Sequence, residues 1–520
     1  MSLVPLAANA LLTLATQPEA LAFRKALGNV AATQEARLLD VVRRNARTEF
    51  GRRHGFEGIR SVADYQRRVP TAPFEAFAPY VARLAAGEAN LLTEEPVVLF
   101  EPTSGSTAAT KLVPYTRSLQ RELRRALFPW LADLYTSEPA LLGGPAYWSV
   151  SPVAVEGRRT PGGIPIGFED DTAYLGGVAG GLARAALAVP PDARRAPDVR
   201  AFRLLTLAAL VSRPDLRLVS VWNPTFLELL VAPLRNDAEA VLERLAAPRR
   251  RVVERALLDT AEDGDLHATL WPRLRVVSCW ADAAAARDAA RLAALFPQAR
   301  LQPKGLLSTE GVVSIPLVGH DGAALAVRSH FFELRRGEEI ALAHELRRGT
   351  VYEVILTTGG GLYRYETNDL VEVVGTVEAC PLLRFVGRKD AVSDRFGEKL
   401  HEAHVSAALE AALRAHAVAP AFAMVAFDAG AYTLFVEAEG PLLAVGEELD
   451  RRLRESFQYD YARRLGQLGP LRVFRIDSGG VEAYLTAQAE RGMKLGDVKA
   501  IALSRETGWP ARFRGATLDG

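Results

Sequence analysis

The sequence predicts an α/β protein: a large N-terminal α/β domain over residues 1–386, with a β-rich subdomain at about 327–386, then a small mobile C-terminal α+β domain over residues 387–520. Three observations predict it. Short apolar, β-branched runs alternate with alanine-rich stretches of helical period between about residues 96 and 300, the order that builds a sheet covered by helices. From about Val327 this gives way to consecutive strand patterns separated by turns. Beyond the polar junction Gly387-Arg-Lys-Asp390, a candidate hinge, a compact helix, hairpin, helix and strand follow.

The N-terminal segment, MSLVPLAANALLTLATQPEALAFRK, lacks the basic start of a signal peptide and is broken by Pro5, Asn9 and Gln17, so it is read as an amphipathic helix packed on the body. Helical patterns continue to about residue 100, with loops at Pro70 and Pro73, and Pro96–Phe100 reads as a strand. A polar, glycine-containing loop follows, and after Lys111 the pattern returns to helix through Arg121–Leu131. Strands are expected at Tyr147–Val150, Leu216–Val221 and Leu274–Cys279, and helices at Leu227–Leu245 and Asp282–Phe296. In the β-rich part, FFELRRGEEIALA and VYEVILTTGG carry strand patterns. In the last domain a helix at Glu402–Ala415 precedes a hairpin at Phe422–Glu439 turning at Asp428-Ala-Gly430, another helix, and the strand LRVFRI. There is no internal repeat and no low-complexity linker.

Composition excludes several classes. The 63 basic and 62 acidic residues nearly cancel, so no long-range field gathers nucleic acid or an anionic membrane. No run approaches the roughly 20 apolar residues of a membrane-spanning helix. Cys279 and Cys380 have neither disulfide-framework nor zinc spacing, which suits a reducing cytoplasm. His401-Glu-Ala-His404 is one residue short of a metalloprotease motif and reads as a helix start, and Arg249–Arg251 with Arg255 reads as a solvated helix face. Only seven of the basic residues are lysines: Lys25, Lys111, Lys304, Lys389, Lys399, Lys494 and Lys499. In a chain that has put arginine almost everywhere, the lysines that persist are enriched at positions needing a compact, movable ammonium; Lys25 reads as a neutral surface position, and the other six fall in segments singled out on other grounds.

The chemistry concentrates in four segments. Glu101-Pro-Thr103-Ser104-Gly105-Ser106-Thr107-Ala-Ala-Thr-Lys111 is a hydroxyl-rich loop whose Gly105 permits close approach of backbone to a phosphate and whose Lys111 supplies charge. Its glycine-to-lysine spacing is that of a Walker loop, but Thr110 and Leu112 break that motif. Ser308-Thr309-Glu310-Gly311 places an acid where it could hold Mg²⁺ against a triphosphate. Asp369, in Gly359-Gly-Gly-Leu-Tyr-Arg-Tyr-Glu-Thr-Asn-Asp369, is an acid at a strand edge able to grip both ribose hydroxyls, and Phe385-Val-Gly-Arg388-Lys-Asp begins the hinge segment. Trp222, Phe226 and Trp280 are either core or the walls of an acyl pocket.

In this order, TSGSTAATK, STEG, YRYETNDL and FVGRKDAVSDRFGEK resemble the core motifs of the adenylate-forming superfamily. More narrowly, FGRRHGF, KLVPYT, SVWNPTFLELL, GLLSTEG, HFFE and RGMKLGDVK make the chain similar to the acyl-acid amido synthetases of the auxin-responsive promoter family, bacterial members included, from about Glu49 to about Lys499. The resemblance implies that Thr103 to Thr107 and Lys111 form the ATP phosphate loop, that Thr309 is a further nucleotide-binding residue, and that Glu310 is the motif acid near metal and phosphates. It further implies that Asp369 binds ribose, that Arg388 is the companion arginine at the hinge, and that Lys499, with Lys494 as the competing choice, is the C-terminal lysine that neutralises charge during adenylation. The chain departs from the pattern at Ala108 and Thr110, where glycine and proline are usual, and at Asp497, where plant members carry glutamine.

The implied reaction uses ATP and Mg²⁺ to adenylate a small carboxylic acid, releasing pyrophosphate. The acyl group then passes to an amine, an amino acid by expectation, as AMP leaves. No nucleic acid, membrane or obligate protein partner is expected. Two other readings remain open at this point: an acyl-CoA ligase of the same superfamily, and a catalytically silent nucleotide-binding protein.

Overall fold

The structure is a computed structural model that describes residues 3–102, 111–148, 158–167, 175–190, 193, 196, 198–389, 392–393, 395–396, 398–491, 498 and 501–518. The chain divides into two compact units, Met1–Ala281 with Ala289–Phe385, and Asp282–Asp288 with Val386–Gly520.

In the first unit, five helices occupy the first 85 residues: Leu3–Leu27, Val30–Arg44, Glu49–Arg53, Val62–Arg68 and Phe74–Ala85. Thr48 and Ser61 start two of them by accepting from the N–H groups of Gly51 and Asp64, which would otherwise lack partners. Asn9 is buried in the long first helix, where its amide donates to Gly144 O at 2.9 Å and fixes that helix to the body. No described helix is long and apolar enough to cross a membrane.

The strand expected before the phosphate loop is β1 (Leu99–Pro102), but helix does not follow the loop directly. A second strand, β2 (Leu112–Tyr115), pairs antiparallel with β1, so the loop closes a hairpin. Pro114 is tolerated in β2 because this sheet has two strands, and the missing N–H removes a bond on one edge only. Thr116 then caps the Arg117–Ser137 helix.

Four parallel strands follow, β3 (Ala146–Trp148), β4 (Leu218–Ser220), β5 (Val276–Cys279) and β6 (Arg300–Pro303), side by side in chain order. Alternate residues feed two separate cores. Ala146, Leu218 and Val276 enter the cluster built on the Arg117–Ser137 helix, while Tyr147, Val219 and Val277 enter one shared with the helices between residues 199 and 295. That two-sided burial is why these runs are continuously apolar. The expected helix at Leu227–Leu245 is three pieces, Pro224–Val231, Pro233–Asn236 and Ala238–Leu242, because Pro233 has no N–H to continue the ladder. The expected helix at Asp282–Phe296 is a 3-10 turn at Ala283–Ala285 followed by Ala286–Leu295.

The β-rich region is a seven-stranded sheet containing β7 (Ser314–Pro316), β8 (Ala323–Leu325), β9 (Phe331–Arg336), β10 (Glu339–Leu342), β11 (Val351–Thr357), β12 (Tyr365–Val377) and β13 (Cys380–Arg388). Its order is β10-β9-β11-β12-β13-β8-β7. β12 carries a bulge: Ile355 pairs with Glu366 and Glu353 with Leu370, so three residues, Thr367 to Asp369, face the single Val354.

The second unit has the short pair β14 (Val392–Ser393) and β15 (Leu400–His401), and a five-stranded sheet of β16 (Phe422–Asp428), β17 (Ala431–Glu437), β18 (Arg472–Ile476), β19 (Leu503–Ser504) and β20 (Gly515–Leu518) in the order β19-β16-β17-β18-β20. The hairpin turns through Ala429 and Gly430, both at positive φ, the geometry that matches strand twist in a two-residue turn. The expected Glu402–Ala415 helix is present, with His401 at its N-cap, and two helices, Leu442–Leu453 and Phe457–Arg464, stand where one was expected.

Candidate active site

Four segments of the first unit are knitted together around Tyr365. Ala72 pairs with it as an isolated parallel bridge, the N–H of Ala72 donating to Arg364 O and that of Glu366 to Ala72 O. The next helix brings Phe74 and Phe77 edge-on to the Tyr365 ring, at centroid distances of 6.5 and 6.2 Å. Lys111, at the end of the hydroxyl-rich loop expected to bind phosphate, sits over the Phe74 ring at 5.2 Å, with Glu75 Oε1 3.9 Å away. The fourth segment is the Ser308–Gly311 turn, where the Tyr365 hydroxyl donates to Glu310 Oε1 at 3.1 Å. Lys111 and Glu310, distant in sequence, are thus linked by three contacts through two aromatic rings.

The Glu310 turn is fixed from a second side. Tyr115, on β2 just beyond the phosphate loop, donates its hydroxyl to Thr309 O at 2.5 Å. Burial, with the negative charges of Glu101 and Glu310 nearby, pushes the Tyr115 phenol well above its ordinary range, so it stays a donor. Two sequence-predicted residues, Thr309 and Glu310, are therefore held by tyrosines from the motifs on either side.

Arg364 makes the Tyr363–Tyr365 turn possible. It adopts φ +48, uncommon for a side chain with a Cβ. Its guanidinium is buried against Glu333 in a two-point bridge, Nε to Oε2 at 2.8 Å and Nη2 to Oε1 at 2.9 Å, and Nη1 donates to Val69 O at 2.7 Å. Asp369 lies buried at the end of the β12 bulge, its own N–H donating to Thr367 Oγ1 at 3.0 Å, while Thr367 Oγ1–H donates to Val354 O. A bulge at this point re-aims the chain locally while the strand continues.

Arg388 ends β13 and belongs to the second unit. Thr103, Ser104, Gly105, Ser106 and Thr107 lie outside the described residues, as do Lys494 and Lys499. The structure brings Glu310 onto Tyr365, Thr309 onto Tyr115 and Lys111 onto the Phe74 ring that abuts Tyr365, and it puts Asp369 on the same strand as that tyrosine. Tyr115 and Tyr365 escaped the sequence reading although both stand inside quoted motifs, KLVPYT and YRYETNDL. Nothing in either string says which residue the hydroxyl reaches.

Three further expectations are resolved. Phe226 is core, buried with the second cluster, whereas Trp222 and Trp280 are only partly buried and tilt together at 6.0 Å at the ends of β4 and β5. Lys304 lies between Trp222 and Trp130, 4.8 and 5.2 Å from their rings, and donates to Ser220 Oγ at 2.6 Å. The basic run is not wholly a solvated face: Arg249 turns inward and donates to Val211 O and Leu270 O, both at 2.7 Å, the final carbonyls of two helices.

Against known proteins, residues 20–301 match the GH3 family N-terminal domain, residues 324–388 the GH3 family central domain, and residues 402–507 the GH3 family C-terminal domain. The indole-3-acetic acid-amido synthetase GH3.8 of Oryza sativa subsp. indica is 24% identical over 91% of this chain and 88% of its own. A GH3 domain-containing protein of Homo sapiens is 32% identical over 56% of this chain and 61% of its own. Among solved structures, the GH3.15 acyl acid amido synthetase superposes with a TM-score of 0.81 at 18% identity over 94% of both chains. A 2-hydroxyisobutyryl-CoA ligase in its postadenylation state has the same fold at a TM-score of 0.52, with 13% identity over 91% of this chain and 88% of its own.

Proposed function

The chain belongs to the GH3 family, and from that footing we propose that it is an ATP-dependent acyl-acid amido synthetase. It adenylates a small carboxylic acid, forming acyl-AMP and pyrophosphate, and then transfers the acyl group to an amine, an amino acid by class, with release of AMP. The observation that carries the reading is the Glu310 carboxylate held by Tyr365, whose ring abuts Phe74 beneath Lys111, the residue just before the second strand of the β1–β2 hairpin.

Carboxylate attack on the α-phosphate brings anions together, so the site must supply fixed positive charge and must not rearrange to do so. Lys111, stacked on Phe74, is the cation of the large domain, and Thr103 to Thr107 are the donors of the phosphate loop. Asp369 takes the ribose hydroxyls. Arg388 and Lys499, or Lys494 in its place, act from the small domain, which turns about residues 387–390 between the two half-reactions.

Glu310 suits Mg²⁺. Its carboxylate is a hard oxygen donor, partly exposed, and one oxygen accepts from Tyr365. Among the described residues no group of three or more His, Cys, Asp or Glu stands ready to hold an ion by itself. The donor set therefore suits an ion that arrives on the triphosphate and takes one protein carboxylate. What bound Mg²⁺ supplies is charge neutralisation across the phosphate oxygens. Both cysteines are buried thiols, which supports a cytoplasmic enzyme.

The test is acid-dependent pyrophosphate release from ATP over a panel of carboxylic acids, with and without pooled amino acids, and product masses read out. Amide formation supports the synthetase. Thioester formation once CoA is added moves the chain to the ligase reading, which the shared fold with a CoA ligase keeps as second. Tight ATP binding without pyrophosphate release from any acid is the outcome that favours a silent binder.

A further inference from the structure

The motif HFFE, before and within β9, opens on a histidine that the mechanism above does not use. His330 and Glu122, from the second turn of the Arg117–Ser137 helix, are both closed off from solvent, and His330 Nδ1 lies 3.0 Å from Glu122 Oε2. The other ring nitrogen settles the tautomer. The N–H of Val312 points at Nε2 from 3.2 Å, so Nε2 must accept and the proton sits on Nδ1, donated to the carboxylate. Val312 lies two residues past Glu310.

Glu122 also accepts from the N–H of Gly359 at 2.8 Å, and the neighbouring Thr116 hydroxyl donates to Gly359 O at 2.8 Å. One buried pair therefore reaches two site segments: the Ser308–Val312 turn that carries Glu310, and the glycine run that leads into Tyr363–Tyr365. The sequence is fitted to this contact. A Cβ on Gly311 would lie 2.6 Å from His330 Nε2 and 2.9 Å from its Cδ2, and one on Gly359 would lie 2.7 Å from Glu122 Oε1. Only glycine at these positions lets the pair approach so closely.

We propose that His330 is a positioning residue for Glu310. Relayed through the Val312 N–H, and seated by Glu122, it holds the motif acid in the place where Tyr365 grips it. The inference rests on the reading of Glu310 as the acid that serves the phosphates, and it deepens that reading by assigning its support. A buried backbone donor with no acceptor is costly, so loss of the imidazole frees the turn to seek another partner.

Acid-dependent pyrophosphate release by the wild-type protein tests the functional reading by itself. The inference is tested on His330→Ala and His330→Gln. An amide oxygen in the Gln variant can stand where Nε2 accepts. Amide hydrogen exchange in the nucleotide-free protein is the readout independent of turnover. Exchange over residues 306–313 is expected to quicken at least about tenfold in the Ala variant and to return close to wild type in the Gln variant, with residues 422–437 of the second unit unchanged. In turnover, the Ala variant should lose kcat about tenfold or more with KM for ATP within about threefold, and in a Glu310→Gln background it should cost less than about twofold further. Unchanged exchange over 306–313 overturns the inference, as do independent, multiplying losses in the double variant. If His330→Ala does not fold, His330→Asn, which reaches Glu122 but is too short for Val312, takes its place with the same expected result.

Discussion

Replacing Glu333 by glutamine isolates how much of the first unit's stability depends on the buried bridge beneath the Tyr363–Tyr365 turn. Glu333 and Arg364 are 1% and 6% exposed, so the change leaves a guanidinium in the interior without its counter-charge. Breaking a buried pair from one side costs about 3–5 kcal/mol. Arg364 keeps its bonds to Val69 O and Gln66 O, and the new amide can still offer one oxygen, so the low end applies, about 3 kcal/mol. That is roughly two powers of ten in the unfolding constant. Five of the six tryptophans lie in the first unit, so their fluorescence follows its unfolding in urea. With a slope of about 3 kcal/mol per molar, the midpoint should fall by about 1 M. The control is Asp321→Asn, which breaks a pair whose partners are 84% and 40% exposed and which should move the midpoint by less than about 0.2 M. A Glu333→Gln shift no larger than the control's would refute the argument that burial sets the cost.

Tyr365→Phe removes the only hydroxyl that any described residue offers Glu310 and should lower kcat of pyrophosphate release about tenfold, since hydrogen bonds to charged groups contribute about 1.5–3 kcal/mol. With Asp369 as the proposed ribose acid, Asp369→Ala should instead appear mainly in KM for ATP, raised about tenfold or more in the same assay, because contacts to ribose would be made equally before and during reaction. Gly311→Ala forces a methyl against the His330 ring and should destabilise the protein by about 1–3 kcal/mol in a thermal melt, whereas Gly181→Ala, with nothing within 4 Å, should be harmless. Burial pushes the Cys380 thiol up to about 12, so at pH 8 the native protein should resist a disulfide reagent and react promptly only after unfolding in denaturant.

Much of the large-scale plan was readable because it is local. The Glu402–Ala415 helix and the Asp428-Ala-Gly430 turn follow from period and turn chemistry within a few residues, and the β-branched runs gave β4 and β5. Errors arose where one local cue outweighed a long-range one. The return to helix after Lys111 passed over a short strand that β1 pairs with, and helical spacing at Leu227–Leu245 overrode Pro233. Arg249 looked like its exposed neighbours because a sequence does not say which helix ends lie nearby. The site divides the same way. Its motifs single out Glu310 and Lys111 as candidates, but the hydroxyl of Tyr115 acts on a residue 194 positions away and His330 on a helix 208 positions back. Such contacts are set by packing of whole elements, for which spacing within a motif carries no information.

The bulge in β12 also limits how this strand can vary in length. Its surplus over β11 is two residues, an even number, so the in-and-out alternation of Tyr365 is in phase with that of Val371 and Val373 on its far side. Removal or addition of a residue pair here would shorten or lengthen the protrusion and leave every downstream side chain on its own face. A single-residue deletion would leave two residues facing Val354, the count of an ordinary bulge, and Val371 and Val373 would keep their face only where that bulge forms; a slip of register instead would turn them outward and carry Leu370 and Glu372 into the core. Changes by twos in this segment should therefore be tolerated best, and odd ones only where the chain closes an ordinary bulge at this point.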